Sequence, residues 1–352
     1  MKINRKGFLS TVGKWKTLSK KDDTEFSHVY VDAYDDSIDF RYVGTGYTYT
    51  AKFDTEKNDI LYSIFVFFPD LIKAVKTSKT EYITIDKTEN GILIDGIFPI
   101  VDTQNLKDKA PDGLAIGRNL GGFFLSSNKI ERLQKMLFCH VSEDKYRYFM
   151  NGIFLEKKRY DDFLSVVATD GRTMAVYKIY GIEETDEFSI ILPVKYLAGI
   201  PKGSDVEFSV FENGVQIADD TRKFTFYSVK IDGQFPNYSR IIPDSYVDFF
   251  DFSSTDMLEA LKKIRPFTDK QKMRIYISVN DEFMTIKNDK IEIQIATIKS
   301  STDIEFAVNI DYLIKSIDSD TDITRVNHGG DSMHCITIEG DILRIIMPMQ
   351  LD

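Results

Sequence analysis

Three amphipathic helical segments begin about 120 residues apart, and each leads into short alternating strands. Residues 5–21 set Phe8, Val12 and Trp15 on one side, residues 127–138 set Ile130, Leu133 and Leu137, and residues 254–265 set Leu258, Leu261 and Ile264. Ser127–Asn128 and Ser253–Ser254 stand before the second and third as candidate N-caps. Strands rich in Tyr, Ile, Phe and Val follow, such as HVYVDAY, YFMNGIFLE and MRIYISV. A second short helix recurs inside each repeat, in FFPDLIKAVK (67–76), ILPVKYLAGI (191–200) and FAVNIDYLIKSI (306–317). The order helix, strand meander, helix, strand meander predicts an α+β fold with antiparallel sheets, repeated three times. The repeats divide the chain into domains at 1–120, 121–246 and 247–352, and 352 residues are too many for one ordinary core.

With 43% hydrophobic and 28% charged residues the composition is that of a globular protein. No stretch approaches the roughly 18–20 apolar residues of a bilayer span. The basic start MKINRKGFLSTVGKWKTLSKK has no apolar core of signal-peptide length, so the expected location is the cytoplasm. Two cysteines, Cys139 and Cys335, fit a reducing compartment.

The net charge of −10 argues against nucleic acid only as an average. The helical segments are basic. The first carries Arg5, Lys6, Lys14, Lys16, Lys20 and Lys21, with no acid between 1 and 21, and its partner segment carries Lys73, Lys76 and Lys79. The middle repeat offers Lys129, Arg132, Lys135, Lys195 and Lys202. The third offers Lys262, Lys263, Arg265, Lys270, Lys272 and Lys315. Acids gather instead in DAYDDSID, DKTEN, GIEETDE and DSDTD. On one helix such lysines are a solvated face. Repeated three times, they predict a shared basic surface that holds a polyanion through its phosphates without reading bases.

Three further stretches stand in order along the chain. FLSVVATDGRTMAVYKI (163–179) reads as strand, Asp170–Gly171 turn, strand. GQFPNYSRIIP (233–243) is proline-stiffened and too apolar for a plain surface loop. LRIIMPMQLD (343–352) is a strand that ends in Met-Pro-Met, where methionine suits a pocket for varied apolar ligands. The combination ATDGRTMAV, FPNYSRIIP, IIMPMQL resembles the bacterial sliding clamp, the beta subunit of DNA polymerase III, whose usual pattern is close to ATDGHRLA, FPDYRRVLP, VMPMRL. The resemblance covers essentially the whole chain. It is strongest in the middle repeat and at the C-terminus, and weakest across residues 20–60.

The resemblance implies a head-to-tail homodimer of three-domain chains closed into a ring, with helices lining the hole and sheets outside. Double-stranded DNA would thread the hole and the protein would tether the replicative polymerase to it, with a clamp loader as a further partner, no catalysis and no cofactor. Carried over position by position, the family's partner-peptide cleft falls on Met150, Thr169, Gly171, Arg172, Met174, Pro236, Arg240, Ile241, Asn309, Tyr312, Ile345, Met347, Pro348 and Met349. The family's DNA-contacting positions correspond to Arg147, Tyr148 and Phe149, and Lys20 and Lys21 match a basic loop. With the basic helices these give Lys14, Lys73, Lys76, Arg132, Lys195, Lys202, Lys262 and Lys263 as expected DNA contacts. Phe98 and Phe267 fall where the family packs apolar side chains across its dimer contact.

The chain departs from the family pattern in the cleft. His-Arg after Asp-Gly is Arg172–Thr173 here, Ser239 replaces an arginine, and Gln350 replaces another near the end. Such departures allow two alternatives: a specialised second clamp, or a clamp-fold peptide-binding scaffold with reduced DNA encirclement. An enzyme using Asp170 with Arg172 lacks a second catalytic partner.

Other signals are set aside. DSDTD (318–322) opens like a calcium loop, but Ile323 stands where glycine is needed and Gly329 where glutamate is. Cys139–His140 and His334–Cys335, read as strand neighbours, point to opposite faces and do not chelate zinc, which predicts core thiols beside partly exposed histidines. GRNLGG (117–122) lacks the strand–turn–helix context of a dinucleotide site and reads as an interdomain linker.

Overall fold

The computed structural model describes residues 1–15, 27–103, 117–182, 186–197, 200–329 and 334–351, and of residues 195 and 196 only the backbone. Two compact units emerge: Met1–Glu131 with Ile182–Ile231, and Arg132–Gly181 with Asp232–Asp352. The middle sequence repeat is thus shared between them. The cause is visible in the ladders, which run on from one repeat into the next. In the first unit Phe226 stands opposite Tyr49, and in the second Met174 stands opposite Ile345.

The first unit holds an antiparallel sheet of eight strands, in the order 62–67, 28–33, 37–44, 47–54, 224–229, 214–219, 206–211 and 119–125. Helix α1 (Arg5–Thr11) is capped by Asn4, whose side chain accepts from the Gly7 N–H at 2.8 Å, and runs into a 3-10 turn at Val12–Lys14. Phe8, Val12 and Trp15 are fully buried, as their spacing predicts. Trp15 stacks on Tyr49 at 5.5 Å, and Phe8 meets Phe40 edge-on at 4.9 Å. Helix α2 (Phe68–Thr77) starts with proline in its first turn and buries Phe68, Leu71, Ile72, Ala74 and Val75. A smaller sheet orders Lys2–Asn4, Tyr82–Thr88, Gly91–Ile94 and Phe98–Val101.

Helix α3 (Ser127–Met136) begins in the first unit and ends in the second. Its first N–H groups are met from far along the chain, since Asp205 accepts from the Ser127 N–H at 2.7 Å. Of the middle repeat's second helix, α4 (Val194–Leu197) lies within the described residues.

In the second unit the strands run 152–157, 163–169, 173–180, 342–346, 336–338, 323–328, 248–253, 292–300, 283–287, 274–279 and 304–309. Helix α5 (Ser254–Ile264) is capped by Ser253, as read from sequence, and α6 (Ile310–Ser316) by Asn309. Their inner faces, with Met257, Leu261, Ile264, Ile310 and Leu313, close over Phe250, Phe252, Ile275, Ile277 and Phe306. Period-3.6 helices over period-2 strands give one apolar layer per face.

Two sequence readings are corrected. Residues 117–122 are no linker: Asn119–Leu125 is a strand paired with Val206–Phe211. Its glycines serve close approach, because a Cβ on Gly122 would stand 2.5 Å from the Phe208 carbonyl oxygen. Arg118 just before it pairs with Asp186 and Glu212. Tyr148–Met150, expected in a strand, is a 3-10 turn, and the strand starts at Gly152.

Candidate functional site

The Asp-Gly turn is a hairpin, as its sequence predicts. Phe163–Thr169 pairs with Thr173–Tyr180, and Thr169 stands opposite Met174. Gly171 holds φ +81, the left-handed backbone a side chain would strain, and a Cβ there would stand 2.9 Å from an Arg147 guanidinium nitrogen. Asp170 Oδ1 accepts from the N–H groups of Arg172 (2.8 Å) and Thr173 (2.7 Å). Thr169 Oγ1 donates to the Thr173 carbonyl at 2.8 Å and accepts from the Gly171 N–H at 3.1 Å. The turn is therefore held by two side chains from its N-terminal side, bonded to backbone groups across it.

Lys315, on α6, reaches the same turn. Its Nζ donates to Asp170 Oδ2 at 2.8 Å and to the Cys139 carbonyl at 3.3 Å, and it lies over the Tyr312 ring at 5.0 Å. Burial alone would raise the Asp170 carboxyl, but the Lys315 hydrogen bond and charge, with the Thr173 and Arg172 N–H groups, outweigh it and hold the group below its ordinary value.

The other edge of Thr173–Tyr180 pairs with Ile342–Ile346, with Thr173 opposite Ile346 and Met174 opposite Ile345. Beyond that strand the chain is still tied down. The Met347 N–H donates to the Arg172 carbonyl at 2.9 Å, and the Met349 N–H donates to Ala307 at 2.8 Å. Met150, Thr169, Met174 and Ile345 are buried, whereas Met347 is 42% exposed and Pro348 and Met349 are half-buried. Asn309 accepts from the N–H groups of Asp311 and Tyr312, fixing the start of α6 beside this strand.

In the proline-stiffened stretch the ring of Phe235 stacks on Phe154 at 4.6 Å, and the Tyr238 hydroxyl donates to Glu156 at 2.7 Å. Those anchors leave Pro236 half-buried and lead into a 3-10 turn at Tyr238–Arg240. Arg240 and Ile241 are exposed, Ile241 by 43%. Every expected cleft residue thus falls in the second unit. Direct bonds join Thr169, Gly171, Arg172, Met174, Ile345 and Met347, and Lys315 ties Tyr312 to them.

A polar cluster in the same unit was not read from sequence. Arg132 binds both oxygens of Asp341 and faces Asp318 at 2.7 Å, and Lys135 pairs with Asp320 at 2.6 Å. The guanidinium of Arg132, expected as a phosphate contact, is thus engaged by two carboxylates. Asp318 is fully buried, and its Oδ1 accepts from the Asp320 N–H at 3.0 Å, so DSDTD is a turn clamped by bases. The Cys139–His140 reading is corrected twice: Phe138–His140 is a 3-10 turn, and the histidine is buried while Cys139 is exposed. Neither ring nitrogen of His140 has a hydrogen-bond partner among the described residues, and burial pushes its pKa down to about 3.

Lys73 and Lys76 on α2, Lys202, and Lys262 and Lys263 in the last turn of α5 are exposed. Lys14 is half-buried and its Nζ donates to the Ile200 carbonyl at 3.2 Å; burial and then Lys202 lower its pKa. Arg147 is exposed and pairs with Asp144, Tyr148 is exposed, and Phe149 is half-buried. Lys20, Lys21 and the Lys195 side chain lie outside the described residues. Phe98 is half-buried in the end strand of the small sheet, and Phe267 is exposed after α5. Among the described residues no group of three metal-ligating side chains forms, and no helix is long and apolar enough to cross a membrane.

Residues 125–237 match the family described as DNA polymerase III beta subunit, central domain. The chain is 27% identical over 231 residues to the beta sliding clamp of Treponema pallidum, covering 63% of this chain and 61% of that protein. It is 32% identical over 123 residues to that of Pseudomonas putida, covering 34% and 33%. The chain spans about three-fifths of the length of the curated relatives it matches. Among solved structures it is similar to a sliding clamp from Pseudomonas aeruginosa bound to griselimycin, with TM-score 0.87, 19% identity, and 100% and 99% of the two chains covered. It is also similar to one from Bacillus subtilis, with TM-score 0.84, 16% identity and the same coverage. At those identities the overlay is a statement of fold: three domains of helices and antiparallel sheets.

Proposed function

We propose that this chain, a member of the DNA polymerase III beta subunit family, is a DNA sliding clamp. Two copies close head to tail into a ring, each contributing domains at 1–120, 121–246 and 247–352. Duplex DNA passes through the ring, held by lysines that contact phosphates and read no bases, so that the ring slides. The exposed Lys73, Lys76, Lys202, Lys262 and Lys263 suit that role, and Arg147 with Tyr148 adds a contact at the start of the middle domain's strands. Lys20, Lys21 and Lys195 remain part of this reading on sequence grounds. The basic helices carry it on a chain of net charge −10 because a ring needs positive charge only on its inner face.

The observation that supports the reading most is the joining of three sequence-distant motifs in one unit. The Asp170–Gly171 hairpin, the Tyr238–Arg240 turn and the Met347–Met349 tail all belong to the second unit, the Met347 N–H ties the tail to the hairpin, and together they offer exposed apolar Ile241 and Met347 with polar Arg172 and Arg240. That is the chemistry of a docking place for short partner peptides. The clamp loader, the replicative polymerase and other tethered proteins are the partners, as griselimycin is for the P. aeruginosa clamp. The protein itself performs no chemistry and acts in the cytoplasm. It raises the effective concentration of polymerase at the template. Phe98 and Phe267 supply apolar contacts across the ring joint.

The test is mass in solution. A ring of two chains has twice the chain mass of 40.5 kDa, and sedimentation equilibrium at micromolar concentration is expected to give that value. A single-chain mass across the accessible concentration range contradicts it.

A further inference from the structure

The acidic stretch DAYDDSID has no part in the reading above, and in the fold it frames an exposed apolar corner. The strand His28–Ala33 pairs with Tyr62–Phe67, and the ladder ends at Ala33 opposite Tyr62, so Tyr34 and Leu61 leave the sheet at the same end. Tyr34 is 49% exposed, Ile60 58% and Leu61 62%. The loop that carries Ile60 and Leu61 is fastened to the hairpin tip: Thr55 N–H donates to Asp36 O at 2.7 Å and Asn58 N–H to Asp35 O at 2.6 Å. The Asn58 side chain donates to the Ile60 carbonyl. The corner is therefore ordered by hydrogen bonds that bury none of its three apolar side chains.

Carboxylates surround it. Asp35, Asp36, Asp54, Glu56 and Asp59 are exposed and Asp32 and Asp39 are half-buried. Burial first, then Asp32 and Asp39, raise the Tyr34 phenol, against the opposing charge of Arg41. Of the nearby bases, Arg41 pairs with Asp32, Lys223 with Asp54, and Lys52 and Lys57 are exposed, so seven carboxylates stand against four bases and the corner stays net negative. A contiguous apolar group rimmed by polar residues marks an interaction surface. The negative rim repels phosphate, which disfavours nucleic acid and anionic lipid, and favours a basic protein segment.

We propose that Tyr34, Ile60 and Leu61, with their rim of aspartates, dock a short segment of another protein that carries apolar side chains among arginines or lysines. The surface lies wholly in the first unit and shares no residue with the peptide surface of the second.

The test uses the full chain and a fluorescein-labelled probe peptide with leucine and tryptophan among arginines, and a second probe with glutamate at every arginine. Anisotropy is expected to show salt-sensitive binding of the basic probe only. The double variant Ile60→Ser with Leu61→Ser keeps every charge and is expected to weaken binding at least about tenfold. Asp35→Asn with Asp36→Asn is expected to weaken it at low salt and to matter less at high salt. The variants alter exposed side chains, and unchanged unfolding midpoints verify the fold. Equal binding to the Ile60/Leu61 variant overturns the proposal, because charge alone then explains the probe. No binding of the basic probe overturns it too, as does a change in oligomeric mass in that variant, which makes the corner a contact between copies.

Discussion

Lys315 and Asp170 meet at 2.8 Å across 145 residues of sequence, and the same carboxylate, through its other oxygen, holds the backbone N–H groups of Arg172 and Thr173. The lysine on α6 thereby sets the turn whose carbonyl, at Arg172, receives the C-terminal strand at Met347. Removing it leaves a half-buried carboxylate short of one partner. Lys315→Met is expected to cost about 1–2 kcal/mol at pH 7. Because the Asp170 pKa lies below its unfolded value, the pair's contribution is present at neutral pH and is lost as pH falls through the folded pKa. Urea unfolding of both proteins at neutral and at acid pH measures it. A cost independent of pH contradicts the pairing as its cause.

His140 makes a second prediction about acid, of the same sign but from a group that stays neutral. Its side chain is buried, and it is faced by Lys315, Asp170 and Arg344. Burial, aided by the two cations, holds its pKa at about 3, against an ordinary 6.5. The folded state keeps the ring neutral, so stability is complete above the unfolded value and declines as pH falls towards the folded one. The slope is about 1.4 kcal/mol per pH unit for this group. His140→Leu removes that slope. Its unfolding free energy is expected to gain on wild type by about 1.6 kcal/mol between pH 6.5 and pH 5. Parallel stability curves would show that His140 is not the group that titrates.

Asn309 caps α6 through two N–H groups, one of them on Tyr312. Asn309→Ala is expected to destabilise the protein by about 1 kcal/mol. Asn309→Asp keeps the acceptor and is expected to restore most of that. Thermal unfolding distinguishes them; equal loss in both variants places the role of Asn309 elsewhere.

The peptide surface is tested by its exposed members. Deleting Met347–Asp352, or Arg240→Ala, is expected to weaken binding of the cognate polymerase's clamp-binding peptide by about tenfold or more, near 1.4 kcal/mol. Dimer mass stays unchanged. Titration calorimetry reads the affinity, and unaltered affinity in both variants refutes the surface.

The parts of this fold legible in sequence are those fixed locally. Phe8, Val12 and Trp15 share a helix face, Ser253 stands at an N-cap, and Asp170–Gly171 supplies the positive φ of a hairpin. The parts missed are long-range pairings that no spacing encodes. Arg132 reads as a free cation on a basic helix, yet its carboxylate Asp341 lies 209 residues away. Residues 117–122 read as a linker because glycines usually mark loops, but at Gly122 the missing Cβ lets a neighbouring strand's carbonyl approach. Cys139 and His140 exchange their expected places because a 3-10 turn, not a strand, sets which side chain faces inward.

The central claim is topological: the protein holds DNA by encircling it. Loaded with its clamp loader onto nicked circular DNA, it is expected to co-elute with that DNA through gel filtration at physiological salt. Linearising the DNA with one cut is expected to release it within the time of the column, since a ring slides off an end. Equal retention on circular and linear DNA, or no retention on either, contradicts the account.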